Sequence, residues 1–344
     1  MTKKASICLP LFLVLVFGGC LNYNKTPDQT NDLKYEVEKI KVFKGFKSEN
    51  EETGEPVEEP FARIISVAVS DSTQNVYILD SDYKEVFVFE EAGEYLHSIK
   101  GGYGRGPGEF LFPREVFIDE NEGVYVYDYT LRRVSLFSSS GELLNTLSTN
   151  VPSKSMLVSK NDIWFSILVS KKNQVVRRSL TEDSLQYYIQ VNKRDLAFSP
   201  NGSNVRLGIG NNGQLVIASL IPGIWYKKVN DTFVQSGQDL LVEEEAEFTN
   251  DNIPVTPGVS MGIGGLFGNR IGIVWRELNV VDGSAKAGSF RLEIFEETGE
   301  HIETVELPVK WANDVFFDEN NNIYFAVSDP VPSVEKYTVI ELSN

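Results

Sequence analysis

Asn75-Val-Tyr-Ile-Leu-Asp80 returns as Gly123-Val-Tyr-Val-Tyr-Asp128, 48 residues later. The stretch after it returns at the same spacing, Phe89-Glu-Glu-Ala-Gly-Glu94 as Phe137-Ser-Ser-Ser-Gly-Glu142, and Asp71 has a counterpart in Asp119. A fixed period of roughly 20–50 residues marks an array of supersecondary units, none of which can bury its apolar face alone. Farther along, Phe295-Glu-Glu-Thr-Gly-Glu300 repeats the turn, and Asp318-Glu-Asn-Asn-Asn-Ile-Tyr-Phe325 repeats the Asp-turn-strand unit. Asn211-Asn-Gly-Gln-Leu-Val-Ile217 and Asn161-Asp-Ile-Trp-Phe165 are more degenerate copies.

Each copy is a short run rich in Val, Ile, Tyr and Phe, broken by Asp, Asn and Gly, which is how half-buried or buried strands and their turns read. No long stretch has a helical period. Short strands inside a unit of this length describe a four-stranded propeller blade. Units near 62–100, 110–147, 152–191, 203–243, 259–307 and 311–342 make six. Tyr35–Val42 has strand character ahead of the first unit and is expected to complete the last blade, leaving no sheet edge unpaired. The acidic stretch Glu49–Glu59, with Pro56 and Pro60, reads as a loop. The expected fold is all-β: a six-bladed β-propeller of four-stranded antiparallel blades over residues 34–344.

The N-terminus has the layout of a secretory signal, with Lys3 and Lys4, an apolar run from Ile7 to Phe17 and the small pair Gly18-Gly19. The run falls short of the roughly 20 apolar residues a spanning helix needs, and Pro10 interrupts it. The small pair directly before Cys20 resembles a lipobox, although Phe17 stands where Leu or Val is usual. Residues 1–19 are expected to be a lipoprotein signal peptide, Cys20 the lipid-attachment residue, and 20–33 a flexible tether whose Asn, Thr, Asp, Lys and Pro cannot bury a core. Cys8 lies in the signal, so the mature chain keeps one cysteine and no disulfide. Lipidation accounts for that lone thiol.

Without Lys3 and Lys4 the chain holds 49 acidic against 30 basic residues. That balance excludes nucleic acid as a partner and argues against electrostatic docking on anionic lipid. The membrane partner is engaged through the lipid.

The glycine-rich stretch Gly101-Gly-Tyr-Gly-Arg-Gly-Pro-Gly-Glu-Phe-Leu-Phe-Pro113, followed by the strand pair between Asp119 and Asp128, resembles the six-bladed β-propeller lipoproteins of Bacteroidetes-type bacteria, related to NHL-repeat propellers. In that family such a stretch joins one blade to the next. The resemblance is strong over 62–147 and weaker over 290–325. It implies the fold; it does not imply an activity, because propellers host many.

Pro107 and Pro113 exclude the helix that a dinucleotide fingerprint at Gly102–Gly108 requires, and Gly208-Ile-Gly-Asn-Asn-Gly213 leads into a strand, so both are turns. Tyr103 and Arg105, displayed on the inter-blade loop, are the ligand-binding candidates: Arg pairs with carboxylate or phosphate in bidentate fashion. The competing reading pairs Arg105 with Glu109 or Glu115. Asp119-Glu-Asn-Glu-Gly123 and Asp318-Glu-Asn-Asn-Asn322 superficially resemble Ca²⁺ loops, but the twelfth positions are Thr130 and Asp329, and hairpin turns account for them better. Asp80 and Asp128 read as turn stabilisers.

No catalytic residue, metal ligand or cofactor is assigned. His97 and His301 occupy non-equivalent positions on outer hairpins, and no Gly-x-Ser-x-Gly elbow is present. Trp164, Trp225, Trp275 and Trp311 are read as blade-packing residues. The expected function is non-enzymatic: a tethered binding or scaffolding propeller for a peptide, glycan or partner protein. The alternatives are a lactonase-like, metal-dependent lyase or hydrolase, and a structural subunit of an outer-membrane uptake or assembly complex. Leu21 and Asn22 lack the acidic sorting signals for inner-membrane retention or surface export, which points to the outer membrane, facing the periplasm.

Overall fold

A computed structural model describes residues 34–49, 53–167, 173–182, 184–190, 205–219, 221–240, 247–248, 254–255 and 258–342. The expected signal peptide, Cys20 and the whole of the expected tether, residues 20–33, lie outside the described residues.

Six four-stranded antiparallel sheets follow one another around an axis. Blade I is Ile64–Val69, Val76–Asp80, Glu85–Phe89 and Tyr95–Lys100. Blade II is Pro113–Ile118, Val124–Asp128, Arg133–Phe137 and Leu143–Ser148, and blade III is Ser153–Ser159, Asp162–Ile167, Asn173–Ser179 and Leu185–Gln190. Blade IV comprises Arg206–Ile209, Leu215–Ala218, Ile224–Val229 and Thr232–Gly237; blade V comprises Gly258–Leu266, Arg270–Val281, Ser284–Glu296 and His301–Leu307. In blade VI, Asp314–Phe317, Asn322–Val327 and Ser333–Glu341 take Tyr35–Phe43 as their outer strand, with Val37 opposite Val339. The ring is thus closed by the strand expected to close it.

The repeated Phe-x-x-x-Gly-Glu stretch has a local cause. In blades I, II and V it forms the turn between the third and fourth strands, with Gly93, Gly141 and Gly299 at φ of 94°, 91° and 101°. Each glycine N–H donates to the carbonyl three residues back (Glu90, Ser138, Glu296), and each of those residues donates its own N–H to the carbonyl of the glutamate that ends the motif. A side chain is disfavoured at such a φ, so glycine is selected there. The Asp80 and Asp128 positions are equally local. Buried Asp80 accepts N–H groups from Ala62, Arg63, Asp82 and Tyr83; buried Asp128 accepts those of Leu111, Phe112 and Leu131. Each carboxylate ties the chain entering its blade to the turn after the second strand.

Two expectations change. The acidic stretch after the first strand is not a loop: Gly45–Glu49 and Pro56–Pro60 pair as a hairpin. Phe46 pins it, stacking on Phe87 of blade I with ring centroids 4.0 Å apart. The match of Asp71 with Asp119 also fails in space. Asp119 and Asp318 cap their hairpins by accepting N–H groups from Asn121 and Gly123, and from Asn320 and Asn322. Blade I has one more residue in this turn, so Ser70 takes the equivalent place, bonding Asn75 as Asp119 bonds Gly123. Asp71 is left pointing past the turn and is exposed.

The core is divided by the seams. Six buried apolar clusters occupy the six blade-to-blade interfaces. Ala68 and Val86 of blade I meet Val116 and Ile118 of blade II, and Tyr127 and Val134 of blade II meet Met156 and Phe165 of blade III. Fully burying one such side chain contributes about 1.5–3 kcal/mol, so each seam is a small core in its own right. Trp164 and Trp225 are buried at these seams and Trp275 is buried within blade V, bonded to Glu293, whereas Trp311 is 39% exposed and lies under the Arg276 guanidinium, 4.0 Å from its ring centroid.

Candidate functional site

The innermost strand of every blade starts at the same face of the ring, the upper face, because the connections between blades enter there. Near the start of these strands stand Ser66, Glu115, Ser155, Arg206, Ser260 and Asp314, one per blade and all buried. They form a ring around the channel. Val116 N–H donates to Ser66 Oγ (3.3 Å), Leu207 N–H to Ser155 Oγ (3.5 Å), Val67 N–H to Asp314 Oδ2 (3.4 Å), and Met156 N–H to the Glu115 carboxylate. In these four blades the ring side chain takes the inner-strand N–H that follows the ring residue of the next blade, whereas the Ser260 hydroxyl donates to the Ser219 carbonyl. The four bonds satisfy edge donors that would otherwise face the channel unpaired.

Arg206 breaks the pattern, since a guanidinium accepts nothing. Its Nε instead donates to the Ser260 carbonyl at 3.4 Å, and Nη1 lies 3.9 Å from Asp314 Oδ1. Arg206 is 4% exposed, and among the described residues its Nη2 has no hydrogen-bond partner.

The ring divides the channel. Below it lies a chamber of about 360 Å³ that runs to the lower face. Half-buried Phe117, Leu207, Ile209, Phe316 and Phe317 contribute to its walls, Arg206 lies at its inner end, and Asp71 and Glu319 stand at its mouth. Partial desolvation at that mouth, and then the nearby Glu319, Asp318 and Glu122, raise the Asp71 carboxyl above its ordinary range. Above the ring is a vestibule of about 70 Å³ walled by Ile65, Arg114, Glu115, Lys154, Arg206, Asn313 and Asp314.

Five ionisable groups in so small a space perturb one another. The Glu115 carboxyl is held well above the usual range by burial and by Asp314, against the pull of Arg206 and Arg114. Burial also raises Asp314, with Arg206 and the Ser66 hydroxyl opposing. The Lys154 ammonium is lowered to about 7, chiefly by the Arg206 charge, then by burial and Arg114. Opposed pKa shifts in one cleft make it a candidate functional site.

Tyr103 and Arg105 sit on the connection between blades I and II, exposed and outside the walls of both cavities. The Arg105 carbonyl accepts from Arg133, the Glu109 carboxylate accepts the Gly106 N–H, and Glu115 belongs to the ring. His97 and His301 are on the outer strands of blades I and V; His301 bonds the buried Glu293 carboxylate, which also accepts from Trp275 and Thr304. The carboxylates of Asp119 and Asp318 receive, beyond their turn N–H groups, the hydroxyls of Tyr125 and Tyr324. Those oxygens serve as hairpin caps. Sequence reasoning missed Arg114, Glu115, Lys154, Arg206 and Asp314. The signal available was a charged residue immediately ahead of an apolar inner strand, as in Glu115-Val-Phe-Ile118 and Asp314-Val-Phe-Phe317.

A family model described as DUF5128, 6-bladed beta-propeller, matches residues 58–204. No curated protein sequence matches the chain. Among solved structures, a member of the DUF4221 family from Bacteroides vulgatus is 10% identical with a TM-score of 0.61, covering 90% of this chain and 99% of that one. A putative exported protein from Bacteroides fragilis is 10% identical with a TM-score of 0.54, covering 90% and 96%. A streptogramin B lyase is 11% identical with a TM-score of 0.51, covering 89% and 98%. The matches establish a six-bladed β-propeller; at such identities the structural likenesses speak for the fold alone.

Proposed function

We propose that this protein is an exported, lipid-anchored binding propeller that takes its ligand into the central channel. The observation that carries the reading is the chamber below the ring, about 360 Å³, whose walls combine phenylalanine and aliphatic side chains with Asp71, Glu115, Asp314, Asp318, Glu319 and Arg206. Ligand sites are concave pockets in which apolar walls stand beside placed polar groups, and this volume falls within their usual range of roughly 300–1,000 Å³. Of the ligands considered from sequence, a peptide suits such walls better than a glycan, because apolar side chains gain from burial there and sugar hydroxyls do not. Cys20 would carry the lipid, with the outer membrane, periplasm-facing, as the location.

The metal-dependent lyase or hydrolase reading is weaker. The carboxylates of the ring are Glu115 and Asp314, and the Arg206 guanidinium, close to both, repels a divalent cation.

The test uses 8-anilinonaphthalene-1-sulfonate, a fluorescent probe with an apolar body. Saturable enhancement with one site per chain is expected, and it should be lost in Ile209→Trp, which fills the chamber from its wall. Enhancement that does not saturate, or that survives the substitution in a folded variant, overturns the reading.

A further inference from the structure

We propose that the vestibule above the ring is a binding site for a single carboxylate group, presented by a small organic acid or by the C-terminus of a peptide. This rests on the channel being the ligand site and names the chemistry recognised at its upper end.

Size is the first argument. A cavity of about 70 Å³ accommodates a head group and not a whole ligand. Its walls carry three cations, Arg114, Lys154 and Arg206, against two carboxylates, Glu115 and Asp314. This concentration runs against the composition of a chain with a net charge of −17. An acidic exterior discourages indiscriminate anion binding, so a basic pocket within it is selective.

The second argument is the state of Arg206. A guanidinium with a buried, unpartnered Nη2 is destabilising unless something accepts from it. A carboxylate is the acceptor whose two oxygens match the planar fork of N–H donors. Arg114 lies with its guanidinium 5.8 Å from the ring centroid of Tyr129. Lys154 donates no hydrogen bond to another described residue and is half-buried at the cavity wall.

Charge then decides between anions. In formal charge the three cations of the walls exceed the two acids by one, which one carboxylate neutralises and a phosphate dianion would exceed.

The experiment uses the full-length chain in detergent and ligand-observed NMR. The probes are acetate, its neutral isostere acetamide, inorganic phosphate, and N-acetyl-triglycine with a free or an amidated C-terminus. Both free carboxylates should bind at one site, and both amides should bind at least about tenfold more weakly, the usual loss when a charge-assisted hydrogen bond is removed. Lys154→Met and Arg114→Gln should each weaken the carboxylates and leave the amides unchanged. Tighter binding of the peptide than of acetate identifies a peptide terminus as the source, and the reverse order a free acid. Equal affinity for acid and amide, preference for phosphate, or no carboxylate binding overturns the proposal. If carboxylates fail while the fluorescent probe still titrates the chamber, this assignment falls alone; if the probe also fails, the channel reading falls with it.

Discussion

Arg206 of blade IV reaches Asp314 of blade VI across the channel, Nη1 to Oδ1 3.9 Å, although these blades share no seam. The contact is a spoke inside a ring otherwise held by neighbour-to-neighbour bonds. Asp314 has other donors in Ser66 and Val67, whereas among the described residues Arg206 hydrogen-bonds to Ser260 alone. Arg206→Met should therefore destabilise the fold by about 3 kcal/mol, at the low end for breaking a buried pair because the contact is long. In urea denaturation, Arg206→Met combined with Asp314→Asn should cost less than the two single changes together. Strict additivity would show that the pair is not coupled.

Asp128→Ala removes the acceptor for three backbone N–H groups at a buried site, and Asp80→Ala removes the acceptor for four. Each substitution should lower stability by about 2–4 kcal/mol, the cost of orphaned buried donors. Asp80→Ala should be the larger loss in chemical denaturation. A loss below about 0.5 kcal/mol, the range of ordinary surface substitutions, would show that the loops re-pair with water.

Lys154 gives stability a pH dependence of defined sign. Its amine is lowered from an ordinary 10.5 to about 7 by Arg206, burial and Arg114, against Asp314 and Glu115. The unfolded chain thus binds the proton more tightly, so this group favours folding above pH 10.5 and loses that contribution as pH falls through 7. Lys154→Met should raise the urea midpoint near pH 6 and flatten the rise in stability between about pH 7 and 10. Glu115 acts oppositely: its raised carboxyl favours the fold at acidic pH and withdraws that contribution as pH rises. A Lys154→Met profile parallel to the parent's would contradict the assignment.

Cys20→Ala should move the protein from the membrane pellet to the soluble periplasmic fraction and abolish incorporation of labelled palmitate. The propeller should be unaffected, because the substituted position lies ahead of its first strand, Tyr35–Phe43. Continued membrane association of the unlabelled variant would indicate a second anchor.

The fold was legible because its cause is local. A glycine in the left-handed region, an aspartate capping its own turn and a run of β-branched residues leave the same mark wherever they recur, as Gly93, Gly141 and Gly299 show. Tyr35–Phe43 was legible as a closing strand from edge pairing alone. The hairpin Gly45–Glu49/Pro56–Pro60 was not, since what holds it is Phe46 on Phe87, a tertiary contact with no local signature. The ring was hidden for a different reason. Its members are Ser, Glu, Ser, Arg, Ser and Asp, joined by a position in space and by no shared chemistry, and turns of unequal length move them off any fixed period. The slip between Asp71 and Ser70 shows how one extra turn residue misleads an alignment by spacing.

Tyr35 and Glu341 are paired strand ends 306 residues apart in the chain. The first of the described strands to be synthesised is consequently the last to find its partner. Throughout synthesis its hydrogen-bonding edge stays open, and so does that of Ser333–Glu341 until both are present. Distant pairings of this kind slow folding and expose sticky edges meanwhile. Closure of this ring is therefore a timing problem, and a chaperone that shields a single strand edge would govern how much of the protein matures.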